Sequence, residues 1–102
     1  MRFDLILAPD AAKALRQLPG RQRAEVRDAL ARHLRFEPTK TSKSRIKRLR
    51  GLSQPQYRLR VNDIRVFYDV TETAVEILAI IAKAEAQKWL DYAGTPDDSG
   101  SG

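Results

Sequence analysis

From Gln56 to Val70 the chain reads QYRLRVNDIRVFYDV, two stretches of alternating apolar and polar side chains on either side of Asn62-Asp63. A period of two marks strands with one buried face, and Asn-Asp suits a tight reversal, so the segment is constrained to a β-hairpin. On the first strand Tyr57, Leu59 and Val61 share one face, while Gln56, Arg58 and Arg60 share the other. On the second, Ile64, Val66, Tyr68 and Val70 form the apolar face, and Arg65, Phe67 and Asp69 oppose it. Once helices cover the apolar faces, three arginines converge on the far side of the sheet. Asp69, Glu76 and Glu85 are the carboxylates available there, enough to absorb one or two of the three as ion pairs.

The remaining segments supply that helical cover. Residues 2–7 alternate as a short strand, and Pro9-Asp10 suits a helix start, because proline lacks the amide left unpaired there and aspartate complements the positive helix end. Ala11, Ala14, Leu15 and Leu18 form the stripe of a first helix that Pro19-Gly20 terminates. A second helix is expected over 21–36, with Val26, Ala29, Leu30, His33 and Leu34 at helical spacing; His33 there is structural. Residues 38–44 have no periodicity and read as an exposed loop, and Ile46, Leu49 and Leu52 return to the core as a short irregular strand ending at Gly51. TAVEILAIIAKA, from Thr73, reads as a central strand covered on both faces, and EAQKWLDY as a short closing helix with Trp89 or Leu90 turned inward. The order β-α-α-β-β-β predicts an α+β fold, a helical hairpin on one face of a small, largely antiparallel sheet. Residues 1–92 are expected to be one domain and 93–102 a flexible tail.

The chain has 102 residues and a net charge of +6, concentrated between Lys40 and Arg65. In that window Lys40, Lys43, Arg45, Lys47, Arg48, Arg50, Arg58, Arg60 and Arg65 face Asp63 alone. Such a segment favours a polyanionic partner. Cysteine is absent and there is a single histidine, so the sequence offers no thiolate nucleophile, no disulfide framework and no His- or Cys-based metal site; no metal or cofactor is expected. No apolar run reaches the roughly 20 residues of a membrane span, and the expectation is a cytoplasmic protein with no membrane partner.

KRLRGLSQPQYRLRVNDIRVFYDV, followed by an apolar strand and AKAEAQKWL, resembles the RelE/ParE superfamily of type II toxin-antitoxin toxins. In that family a Leu-(Arg/Lys)-Gly stretch leads into a Tyr-Arg-x-Arg strand and an Arg-Val-x-Tyr strand. The resemblance covers residues 1–92 and rests on the ordered combination of motifs. It implies a RelE-like, microbial RNase-type fold and a cognate antitoxin as partner. RelE-like members cut mRNA on the ribosome without metal, using the 2′-hydroxyl as nucleophile; ParE-like members inhibit DNA gyrase. A relative with attenuated catalysis that keeps antitoxin binding is a further alternative.

Arg58, Arg60 and Arg65 match basic positions of the RelE-like nucleases and are the candidate catalytic group, shaped to hold a phosphorane-like transition state. Arginine stays protonated, so proton transfer falls to another group. Ala84 and Leu90 stand where the best-known nucleases carry an arginine and a tyrosine. Lys83 or Lys88 can replace the lost charge, and Tyr92 the lost ring. Glu85 is the nearby carboxylate able to act as base, with a salt bridge to Arg58 or Arg65 as its competing role, and Lys83 qualifies only if desolvated. Lys43, Arg45, Lys47, Arg48 and Arg50 are candidates for RNA phosphate contacts, joined by Lys88 and Tyr92. Trp89, Tyr57 and Tyr68 are read as core.

Overall fold

The computed structural model describes residues 1–97. Nine elements follow in chain order before the last short strand: β1 (Asp4–Leu7), α1 (Pro9–Gln17), α2 (Gly20–Ala29), β2 (Ile46–Arg48), β3 (Leu52–Gln54), β4 (Tyr57–Val61), β5 (Ile64–Val70), β6 (Ala74–Ala82) and α3 (Lys83–Ala93). A two-residue strand, β7 (Thr95–Pro96), pairs antiparallel with β3. The main sheet has the order β1-β6-β5-β4-β2, with β1 parallel to β6 and every other pairing antiparallel. The expected α+β layout is therefore present.

The helical hairpin forms for the reasons read from the sequence. Pro9 opens α1 with Asp10 in its first turn, and Ala11 and Leu15 are its buried residues. Leu18 adopts an extended conformation before Pro19, which breaks the helix and starts α2. The second helix does not run uniformly to Phe36. Leu30–Leu34 form a π-helical turn after α2, and Phe36 is exposed. Val26, Leu30 and Leu34, spaced by four, are all buried. An α-helix turns about 40° beyond one full turn every four residues, so the wider π turn keeps all three aimed at the sheet.

Helices and sheet enclose one core, in which Leu59, Val66, Tyr68, Val75 and Ile77 meet Ala11, Val26 and Leu34, all essentially without exposure. Strand β5 is the most deeply covered, with Ile64 through Asp69 buried on both faces, whereas β6 is buried less evenly. The expected single strand over 46–52 is two. Gly51, at φ 79°, occupies the left-handed region where a side chain would be strained, and it separates β2 from β3. Leu52 then pairs with Pro96 instead of joining the main sheet. Of the residues expected as a flexible tail, Ala93 ends α3 and Thr95–Pro96 form β7; residues 98–102 lie outside the described residues.

The loop after α2 is anchored despite its lack of pattern. Tyr68 donates its hydroxyl hydrogen to the Pro38 carbonyl at 2.7 Å, with both residues buried, and its ring stacks on Tyr57 at 5.4 Å. Ser42 Oγ accepts from the amides of Arg45 and Ile46 at 2.9 and 3.2 Å, setting the entry to β2. Tyr68→Phe leaves the Pro38 carbonyl buried without its donor, and is expected to lower stability by about 1–3 kcal/mol in urea denaturation with the far-UV spectrum unchanged.

Candidate functional site

Strand register brings the basic side chains into rows. Lys47 lies opposite Arg58, which lies opposite Phe67; Arg60 lies opposite Arg65, which lies opposite Ile81. The Arg60 amide donates to the Arg45 carbonyl, placing Arg45 at the end of the second row. Like charges directly across a pair of strands oppose folding, so two such pairs on one face call for a counter-charge. Among the described residues, no ion pair with a carboxylate supplies it. Among the described residues the ion pairs are Arg21–Glu25, Asp28–Arg32 and Glu37–Lys40, all on the helices and the following loop. The expected pairing of the sheet arginines with Asp69, Glu76 or Glu85 is not formed.

Asp69 is engaged elsewhere. Its two carboxylate oxygens accept from the Gln54 side-chain amide at 2.7 Å and the Gln56 backbone amide at 2.8 Å, and Gln56 in turn accepts from the Val70 amide. Glu76 stands opposite Asp69 in register, so the acidic end of the face is separated from the basic end at the hairpin turn.

The three hairpin arginines differ in environment. Arg65 is buried, and its Nη1 donates to the carbonyls of Asn62 at 2.7 Å and Ile64 at 3.1 Å. Arg58 is half-buried; one terminal nitrogen reaches the Ser44 carbonyl at 3.4 Å, while its buried Nε has no partner among the described residues. Burial, and then Arg65 and Arg60, lower the Arg58 pKa from the ordinary arginine value, though a guanidinium stays charged. Arg60 is exposed and borders a depression of about 330 Å³ with Ser44, Arg45 and Asn62.

Helix α3 closes part of this face. Trp89 stacks on Phe67 with ring centroids 5.0 Å apart, which is the packing role expected for it. Beside that stack, Ile81, Glu85, Lys88, Trp89 and Tyr92 line a shallow, largely apolar groove of about 280 Å³. Ile81, which lines the groove, lies opposite Arg65 in register, so the groove sits beside the arginine rows, although none of the arginines lines it. Glu85 makes no ion pair among the described residues, and Tyr92 is 91% exposed. Lys83 borders a different depression, with Asp63, Ala82 and Ala84.

The basic loop residues divide. Arg45 and Lys47 lie with the arginine rows, but Arg48 lies over the Tyr57 ring at 5.2 Å and donates to the Gln56 carbonyl, a structural position on the helix side. Lys43 and Arg50 are exposed. Sequence reasoning missed Ser44 and Asn62 beside Arg60, and it missed that His33 borders a cavity with Arg32, Lys40 and Arg45. Helical spacing placed His33 on the core stripe; the π turn, which carries no sequence signature, gives it a half-exposed position instead.

Comparison with solved structures fits this geometry. The archaeal RelE–RelB complex from Pyrococcus horikoshii OT3 contains a chain 29% identical to this one, with a TM-score of 0.58 over 81% of this chain and 97% of that chain. The RelBE2 toxin–antitoxin complex from Mycobacterium tuberculosis gives 25% identity and a TM-score of 0.62 over 80% and 99% of the two chains. YoeB from Staphylococcus aureus, described as a dimer, shares the fold at 16% identity, with a TM-score of 0.56 over 78% and 94%. No family model and no curated protein sequence matches the chain. The fold is that of the toxins of type II toxin-antitoxin systems. Within that class the fold is RelE-like over about four fifths of the chain, and the ParE alternative gains no support from these structures.

Two outcomes test the site's physical reading. Arg65→Ala removes a buried group from two carbonyl acceptors and is expected to cost about 1–3 kcal/mol, whereas exposed Arg60→Ala stays within about 0.5 kcal/mol in the same denaturation assay. For His33, burial and then Arg45 and Arg32 lower the pKa below 6.5, outweighing Asp28. In the interval between the lowered folded value and 6.5 the unfolded chain binds more protons, so stability falls as pH drops through it. His33→Gln is expected to flatten that part of the stability–pH curve.

Proposed function

We propose that this chain is a RelE-like toxin that cuts mRNA on the ribosome as a metal-independent endoribonuclease, and that a cognate antitoxin neutralises it. The single observation that carries the reading is the set of basic side chains on one sheet face that form no ion pair with the described carboxylates, centred on an Arg58 whose buried Nε has no partner among the described residues. Phosphate oxygens supply the counter-charge that the chain withholds, and they do so most strongly when charge builds on phosphorus. The antitoxin partner is supported by the solved relatives, which are described as complexes with RelB or as a toxin–antitoxin complex.

The reaction moves few atoms. The 2′-oxygen of one ribose attacks the adjacent phosphorus, the bond to the 5′-oxygen of the next nucleotide breaks, and one proton passes from the first oxygen to the second. Arg58 and Arg60 bind the phosphate oxygens, and Arg65 fixes the strand that carries this field. Glu85, on the groove beside the arginine rows and without an ion pair among the described residues, is the better placed proton acceptor. Lys83 faces a separate depression. With an arginine and a tyrosine of the best-known nucleases replaced by Ala84 and Leu90, alignment of the 2′-hydroxyl falls to the ribosome, and correct alignment alone is a large share of such a barrier.

Primer extension on translated mRNA is expected to show cuts with programmed ribosomes and almost none on free RNA. Arg58→Ala and Arg60→Ala are each expected to slow cutting by about 100-fold or more with the fold intact, as for loss of a transition-state donor. Efficient cutting of free RNA overturns the ribosome-dependent mechanism. Absence of cutting in both settings, with gyrase supercoiling inhibited by the same preparation, overturns the nuclease assignment.

A further inference from the structure

We propose that the cavity at the C-terminal end of the second helix is a phosphate subsite for an RNA strand that also crosses the arginine face; it rests on the RNA reading above. The cavity, of about 210 Å³, is lined by Arg32 and His33 from the π turn, by Lys40, Ser42 and Arg45 from the following loop, and by Glu37. Arg45 borders both this cavity and the depression that holds Arg60, Ser44 and Asn62. One guanidinium therefore joins two basic concavities into a path that leads off the edge of the sheet.

The site is built. Its loop is held by the Tyr68 hydroxyl on the Pro38 carbonyl and by Ser42 Oγ on the amides of Arg45 and Ile46. His33 is half-exposed, and neither ring nitrogen hydrogen-bonds to a described residue, so it does not behave as a satisfied core histidine. The neighbouring acids leave the cations available. Arg32 meets Asp28 at 3.4 Å and Lys40 meets Glu37 at 3.2 Å, both in solvated pairs that contribute little and yield readily to a stronger anion. Arg45 makes no ion pair with a described residue.

Continuity selects the ligand. A nucleic acid strand presents an anion at every residue, so two basic concavities joined through Arg45 suit successive phosphates of one strand. The carboxylates of an acidic peptide hang on flexible side chains, whereas phosphates stand in the strand's own backbone. Arg32, Arg45, Lys40, Asp28 and Glu37 are the charged groups facing His33, and the first two, with burial, hold its pKa down in the free protein. A bound phosphate reverses that balance and favours the imidazolium.

His33 is the only histidine of the chain, so its imidazole resonances are a clean probe. The experiment titrates them by NMR in the full chain, alone and with orthophosphate, hexauridylate at low salt, or polyglutamate. The expected result is a higher His33 pKa with both orthophosphate and hexauridylate, and little change with polyglutamate. Arg32→Gln is expected to lower the slope of log K for hexauridylate against log salt by about 0.7, and Glu37→Gln to raise affinity, an opposite effect that misfolding does not mimic. A His33 titration unchanged by saturating hexauridylate overturns the proposal, and so does a shift with polyglutamate alone. Ribosome-dependent cutting is scored separately: cutting without the His33 response removes the subsite and leaves the nuclease reading, and the reverse outcome removes the nuclease reading and leaves the subsite.

Discussion

A guanidinium buried in the middle of a sheet without a carboxylate has to be met by something, and in this fold the hairpin's own main chain meets it. Arg65 donates to the carbonyls of Asn62 and Ile64, which holds the turn closed with Asn62 at φ 53°, a left-handed conformation that asparagine tolerates. From that fixed turn two further ties follow. The Asn62 side-chain amide donates to Glu25 in α2 at 2.7 Å, and the Lys83 amide at the head of α3 donates to the Asp63 carbonyl at 2.7 Å. The helical layer, the hairpin and the closing helix thus share one anchoring point.

This arrangement separates two demands on arginine that a sequence presents as one. Arg65 is consumed in support, whereas Arg58 and Arg60 carry the field outward, and the local repulsion among them is a cost retained in the folded state. Asp69 shows the same division from the acidic side. Although it shares a face with Arg65, both of its oxygens hold the Gln54–Gln56 segment, so the carboxylate that looks like a partner in the alternation is removed from the electrostatics of the arginine rows.

What the sequence made legible is what depends on period and local chemistry. Alternation assigned the faces of β4 and β5, Pro9 and Pro19 bounded the first helix, and the ordered motifs pointed to the RelE-like fold. What escaped depends on distant contacts. Nothing local tells that Leu52 will pair with Pro96, that a π turn will follow Ala29, or that Arg48 will lie over Tyr57 while its neighbour Lys47 joins the arginines. The ion pairs expected from proximity on one face failed for a related reason: shared face fixes direction, but hydrogen-bond competition decides the partner. Alternation assigned the sheet face of Arg58, Arg60 and Arg65, whereas it gave no guide to Arg48 at the strand end or to His33 in the interrupted helix.

The parallel pairing of Asp4–Leu7 with Ala74–Ile77 carries a consequence for how the protein comes into being. Strand β1 waits for β6, and the closure entropy of that long loop must be met before the contacts reward it. Until then the apolar faces of the helical hairpin lack the strand between β1 and β5, and the Trp89 lid over Phe67 does not yet exist. The arginine hairpin leaves the ribosome before the elements that make it a finished surface. The five-stranded sheet cannot close before Ala74–Ala82 is available, so a nascent chain lacks the folded surface until that strand has been made.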